Sequence, residues 1–167
     1  MPAANVTIAD SLKDVIDGAT LSQSEYTLER SYAEWDLELE GIDDSALPAA
    51  DRLFIDVVTH TVSQTVALVA RGVLSLLCPI DIAVRKKFSS DDVDPNTGRI
   101  LTTSVDDLVF LTQELHVLLT KLRTADNFCG VWQTTEILVN PNQDHLRTLR
   151  QFTSIIRLVF RADLDLA

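Results

Sequence analysis

Apolar residues recur along this chain with two different periods, and the switches between them mark the elements. Over Thr7–Gly18, Ile8, Leu12, Val15 and Ile16 fall on one helical face. Thr7 stands at a capping position with Asp10 three residues on, and Gly18 suits the C-terminal stop, so a short helix is expected. Tyr26, Leu28, Arg30 and Tyr32 then alternate with Thr27, Glu29 and Ser31, the period of a strand. The apolar phase moves by one residue to Trp35, Leu37 and Leu39, which predicts a bulge or bend near Ala33–Glu34. Gly41–Asp51 reads as a loop.

A long apolar region covers Leu53–Phe88. Leu53, Ile55 and Val57 alternate at one end, and Ile80, Ile82 and Val84 at the other. In the middle, Val62, Val66, Val69, Ala70, Val73 and Leu77 also fit helical spacing. The β-branched content and the outer alternation favour a long β-hairpin turning near Ala70-Arg71-Gly72 over a buried helix. Ser89–Gly98 is an acidic, turn-rich loop. Leu108, Leu111, Leu115, Leu118 and Leu122 then form a 3-4-3-4 stripe, with Ser104 as the expected cap and Thr124 as the approximate end. Val131–Val139 is strand-like, NPNQDH (140–145) is a loop, and a final strand is expected over about Gln151–Ala162. These elements predict one α+β domain over residues 1–167. It has a mostly antiparallel sheet with a long hairpin over about 53–88, one main amphipathic helix, and a short N-terminal helix packed on one face.

Composition narrows the function classes. The 167 residues carry 14 Lys and Arg against 25 Asp and Glu, a net charge of −11. So acidic a surface argues against a broad phosphate-binding face. The local basic groups, Arg85-Lys86-Lys87 and the spread Arg147, Arg150, Arg157 and Arg161, read as solvated faces and salt bridges. Cys78 and Cys129 sit in apolar surroundings without metal or redox spacing, which suits buried thiols in a reducing compartment. The N-terminus has no basic region followed by an apolar run, so no signal peptide is read. The most apolar stretch, 62–82, is interrupted by Gln64, Arg71, Gly72, Pro79 and Asp81, which does not suit a membrane helix.

Chemistry is sparsely signalled. His60, His116 and His145 are not spaced as a metal or catalytic motif, and no nucleophile elbow, phosphate-binding loop or dinucleotide fingerprint is present. Asp43-Asp44, Asp91-Asp92 and Asp106-Asp107 are adjacent acids in loops or at a helix start, not shielded general acids. The weak metal candidates are Asp92, Asp94 and Asn96, whose alternate oxygens imitate the start of a calcium loop. Pro95 stiffens that loop, Gly98 falls one place late, and position twelve is Thr103 instead of Glu. No catalytic residue, cofactor or resident metal is assigned. What stands out is apolar surface of both parities around the expected hairpin tip, which needs cover on both faces. A second subunit or the curled sheet itself could supply it. The expected oligomer or partner interface is Val62, Val66, Leu68, Arg71, Val73, Leu74 and Leu76.

Four segments, TLERSY (27–32), IDIAVRKKF (80–88), DDLVFLTQELHVLL (106–119) and HLRTLRQFTSIIRLVFR (145–161), carry a resemblance. In this order they resemble the small neck and tail-completion proteins of tailed bacteriophages, the tail terminators in particular. The resemblance implies a virion structural protein, assembled in the host bacterial cytoplasm, that is not an enzyme. It implies a closed homo-oligomeric ring, usually a hexamer, at the head-proximal end of the tail tube. Such a ring ends tube polymerisation and meets the head–tail connector, and DNA only passes through its lumen. The implied partners are further copies of the chain, the tail tube protein and the connector, with no membrane and no sequence-specific DNA binding. A head-side connector or stopper is an alternative of the same class. A small adaptor or chaperone that binds an apolar partner through residues 62–77 is an alternative of another.

Overall fold

The computed structural model describes residues 4–32, 53–60, 65–70, 73–124 and 130–165. Helix α1 spans Ala4–Asp17 and α2 spans Thr102–Thr120. The strands are β1 (Thr27–Tyr32), β2 (Leu53–Thr59), β3 (Thr65–Ala70), β4 (Val73–Lys87), β5 (Val131–Val139) and β6 (Gln151–Asp165). One sheet contains all six. Its order is β1-β2-β4-β6-β5, and β3 pairs with β4 off that path.

The predicted fold needs two corrections. The sheet is mixed: β1 runs parallel to β2, with Thr27 opposite Phe54 and Tyr32 opposite Thr59. The region 53–88 is not one continuous hairpin either. β2 pairs with β4 from Leu53↔Lys86 to Thr59↔Ile80, and β3 takes over the same edge from Thr65↔Leu77 to Ala70↔Val73. The register advances between the two segments and again within β3, between Val66 and Leu68. An uninterrupted ladder cannot absorb the extra residues, so the partner of β4 divides into two strands. The expected bend near Ala33–Glu34, the loop 41–51 and the turn at Arg71-Gly72 lie outside the described residues.

Strand alternation places the core on one face of the sheet. Leu53, Ile55 and Val57 of β2 stand in register with Val84, Ile82 and the flanking even-numbered residues of β4. Those in turn stand beside Ser154, Ile156, Leu158 and Phe160 of β6. With the exceptions of Ser154, which is also buried, and of Lys86 opposite Leu53, these side chains join one apolar cluster with Ile8, Leu12 and Ile16 of α1 and Leu108, Leu111, Leu115 and Leu119 of α2. Helix α1 packs on β1, β2 and β4, and α2 on β5 and β6. The leucine stripe of α2 is therefore the reason it lies on the sheet, although Leu119 is fully buried where the even spacing pointed to Leu118.

Helix ends differ from the simplest reading in instructive ways. Helix α1 starts before Thr7, whose carbonyl instead accepts a bond from Ser11 Oγ at 2.9 Å. Gly18 follows the last residue of α1 and its N–H reaches Asp14 O at 3.0 Å. Helix α2 starts at Thr102 with Leu101 as its N-cap and no side-chain cap, so Ser104 lies inside it. The NPNQDH loop leads into a π-helical turn, His145–Leu149, held by Asn142 Oδ1, which accepts from the N–H groups of Asp144 and His145. Arg150 closes that turn in the left-handed conformation at φ 49.

Gly130 opens β5 where chain segments approach closely. A Cβ there would lie 3.0 Å from Ile8 Cδ1 and 3.2 Å from the carbonyl oxygen of Arg161. Because the second neighbour is backbone of the β6 ladder, Gly130→Ala is expected to destabilise by about 1 kcal/mol. Leu115→Ala, which empties a fully buried position between α2 and the sheet, is expected to cost about 3 kcal/mol. Urea denaturation of both variants, read at unchanged slope, checks the two values.

Candidate functional site

Two surfaces concentrate the features expected of a working site. The first is the end of the β3–β4–β6 ladder. Fifteen residues of β4 pair without interruption with fifteen of β6, from Val73↔Asp165 to Lys87↔Gln151. At roughly 3.3 Å per residue such a strand is about 50 Å long. A compact domain of this size has a radius of gyration of about 15 Å. The ladder is therefore as long as the domain is wide, and β3 extends it into a three-stranded arm beyond the span of β2. The arm brings together the backbone of Val66, Leu68, Val73 and Leu74 of the expected interface, with Val66 opposite Leu76 and Leu68 opposite Ser75. Leu76 itself is buried in the core. Val62 and Arg71 lie outside the described residues. On the face opposite the core, Ser75 Oγ donates to the Asp163 carboxylate, and Arg161 stands 3.5 Å from the same group.

The second surface is the sheet face opposite the helices, which carries a network of charged groups. Asp81 is 3% exposed and accepts two bonds from Arg157, Nε to Oδ1 at 2.7 Å and Nη2 to Oδ2 at 2.8 Å. His60, immediately after β2, places Nε2 2.8 Å from Asp81 Oδ2. Glu136 of β5 stands in register with Arg157. The hydrogen bonds of Asp81 hold the Arg157 guanidinium above its ordinary pKa, against the opposing pull of partial burial. Beside this group, Arg85 holds Asp56 through Nε at 2.8 Å and Nη2 at 2.7 Å, and lies over the Phe54 ring at 6.0 Å. Burial raises the Asp56 carboxyl pKa, and the neighbouring Arg85 charge only partly opposes that rise. Sequence reasoning missed both clusters. Their members are far apart in the chain, and the only local signal was an acid inside each of two apolar strands, Asp56 and Asp81.

The acidic loop is locally satisfied. Ser89 and Asp92 form a reciprocal capping box on the short 3₁₀ turn Ser90–Asp92. Burial raises the Asp92 pKa. Hydrogen bonds from Ser104 and from Ser89, with the Lys86 charge, outweigh that effect and bring it below its ordinary value. Asp94 is turned to the Asn96 N–H at 2.9 Å and Thr97 Oγ1 at 2.8 Å, and these bonds lower its pKa as well. The carboxylates of Asp92 and Asp94 thus answer different partners. Among the described residues no group of three His, Cys, Asp or Glu is placed to hold a metal ion. His145 is used structurally, with Nδ1 2.9 Å from Thr153 Oγ1.

A hollow of about 500 Å³ opens between α2 and the segment after α1, lined by Leu21, Phe110, Val117 and Leu118 with Gln113, Glu114 and Lys121 at its polar side. The Ser22 N–H already occupies Glu114 Oε2 at 3.0 Å. No helix among the described residues is long and apolar enough to cross a membrane. The chain matches no family model, and no curated protein matches it with significant similarity.

Two measurements test this description. Asp81→Ala strips Arg157 and His60 of their shared carboxylate. It is expected to lower stability by about 3 kcal/mol, the low end for a buried pair because the Arg157 side chain is 34% exposed. Asp92→Asn weakens the capping box and is expected to cost about 1 kcal/mol at neutral pH. The wild-type carboxyl is held below its ordinary value of 3.8, so its contribution is complete above that pH and fades as pH falls through the folded-state value. The gap between wild type and Asp92→Asn should therefore narrow in acid, as followed by chemical denaturation across pH.

Proposed function

We propose that this chain is a ring-forming structural protein of the tail-terminator type. It closes the head-proximal end of a phage tail tube and offers the surface onto which the head connector docks. The single observation that supports the reading most is the β3–β4–β6 arm, whose ladder is as long as the domain is wide. A ring requires a heterologous contact, in which one surface meets a different surface on the next copy. An arm at one end of the sheet offers such a surface, and its hydrogen-bonding edge, unpaired among the described residues, can add to a neighbouring subunit. The clusters on the open sheet face agree with a structural role. Asp56 and Asp81 are each tied to arginine, so their charges hold strands together instead of waiting for a substrate. A net charge of −11 also suits a lumen through which DNA must pass without being gripped.

The test combines the purified chain with polymerising tail tube protein. Tubes capped at one end, with rings seen end-on by electron microscopy, are the expected result. The double substitution Leu68→Asp with Leu74→Asp should abolish capping and ring formation, and the melting temperature of the variant, measured alongside, separates a lost contact from a lost fold. A chain that stays monomeric and binds neither tube nor connector would sink the proposal. Binding to the connector alone, with tube growth unchecked, would move the chain to the head side of the joint.

A further inference from the structure

Strand β5 forms one edge of the sheet, and among the described residues no strand pairs with its outer side. It carries little of the charge and none of the proline that commonly protect such an edge. Its nine residues, VWQTTEILV, include no Lys, Arg or Pro, and the only charge is Glu136. Val131 is 55% exposed, Leu138 41% and Ile137 36%. Bulges lie between Trp132 and Thr134 and between Ile137 and Val139, so the run Thr134–Ile137 between them is regular.

The pattern of this strand reads nearly the same in both directions about Thr135. Apolar residues stand at both ends, and polar residues in the middle. From this we infer that β5 pairs antiparallel with β5 of a second copy of the chain, about a two-fold axis through Thr135. In an isologous contact each residue meets its mirror position, so the sequence must complement itself. Here Val131 meets Val139, Trp132 meets Leu138, Gln133 meets Ile137, and Thr134 meets Glu136. Trp132 is already steered toward the axis, because its Nε1–H donates to Thr135 Oγ1 at 2.7 Å.

Neighbouring registers are worse for a definite reason. A shift that places Glu136 on the axis sets two carboxylates directly opposite one another. A shift the other way sets Trp132 against Glu136. Like charges opposite each other destabilise a strand pair, and apolar pairs stabilise it. In the Thr135 register the two Glu136 side chains are diagonal neighbours, roughly 7–8 Å apart. Each has Arg157 beside it in register on β6, electrostatically coupled to it. The contact joins two six-stranded sheets into one continuous sheet. It closes at two copies and is therefore separate from any ring, which needs unlike surfaces. A single strand pair buries less than a standard interface, so the dimer is weak and reversible.

Sedimentation equilibrium of the wild-type chain from about 1 μM to about 1 mM tests the inference. A monomer–dimer equilibrium is expected, and hydrogen exchange at 131–139 should slow as concentration rises. Val131→Lys with Leu138→Lys places charge on two exposed side chains. It should weaken the dimer at least about 30-fold without changing the melting temperature. A monomer at every concentration, or a dimer that the double variant leaves intact, would overturn the two-fold contact. Capping of tail tubes by the double variant would separate the two ideas: with the dimer lost and capping retained, the β5 contact stands and the ring uses another surface. Loss of capping in Leu68→Asp/Leu74→Asp with the dimer retained supports the same contact.

Discussion

Fifteen consecutive cross-strand pairs between β4 and β6 are the constraint on which the rest of the structure depends. A ladder that long fixes the alternation of thirty side chains at once, because a slip of one residue would turn every side chain to the other face. It sends Cys78, Ile80, Ile82 and Val84 of β4, with Ile156, Leu158 and Phe160 of β6, to the face where α1 and α2 lie. It also leaves β4 longer than any one partner from the 53–70 region can match. The other side of β4 is therefore shared by β2 and β3, with a change of register between them. The mixed character of the sheet follows outside this ladder, where β1 joins β2 in the parallel sense.

The second face of the same ladder carries the electrostatic design. Asp81 and Arg157 are directly opposite in register, so the bidentate pair is set by the backbone before the side chains choose rotamers. That geometry suits the planar fork of arginine, which lysine could not replace without losing one of the two bonds. His60 adds a third member from the end of β2, tying the point where the chain leaves β2 to the centre of the sheet. Asp56 and Arg85 form a second pair one strand over, set diagonally across the β2–β4 ladder, with both guanidinium nitrogens on the one oxygen Oδ2. Such pairs gain little net stability over apolar replacements, but breaking one leaves a charge in a poorly solvated place.

The arm and the outer edge of β5, unpaired among the described residues, lie at different parts of one sheet and would imply different symmetries. A contact between unlike surfaces propagates around a ring, whereas a self-complementary strand closes on itself after two copies. Together they would give a dihedral assembly, and either alone gives a simpler one. Both proposed contacts would draw on the same physical resource, the backbone hydrogen-bonding groups of a sheet edge.

By itself the sequence determined the elements whose apolar pattern is strong and local. The leucine stripe of α2, the alternation of β2 and β6, the bounds of β5 and the face of α1 could all be read from spacing, because one buried face imposes one period. Partnership was a different matter. Nothing local distinguishes a strand that pairs parallel from one that pairs antiparallel, so the sense of β1 against β2 was decided by tertiary structure. The same is true of the division of 53–70 into two strands, because a register change depends on how many residues the far partner can accept. The charged clusters were least legible of all. Asp81 meets Arg157 across 76 positions of sequence and His60 across 21, and only the ladder brings them within hydrogen-bonding distance. The acidic loop shows the converse: Asp92 and Asp94 looked like convergent ligands in sequence, yet short-range bonds to Ser89, Asn96 and Thr97, with Ser104 from the start of α2, take up their oxygens first.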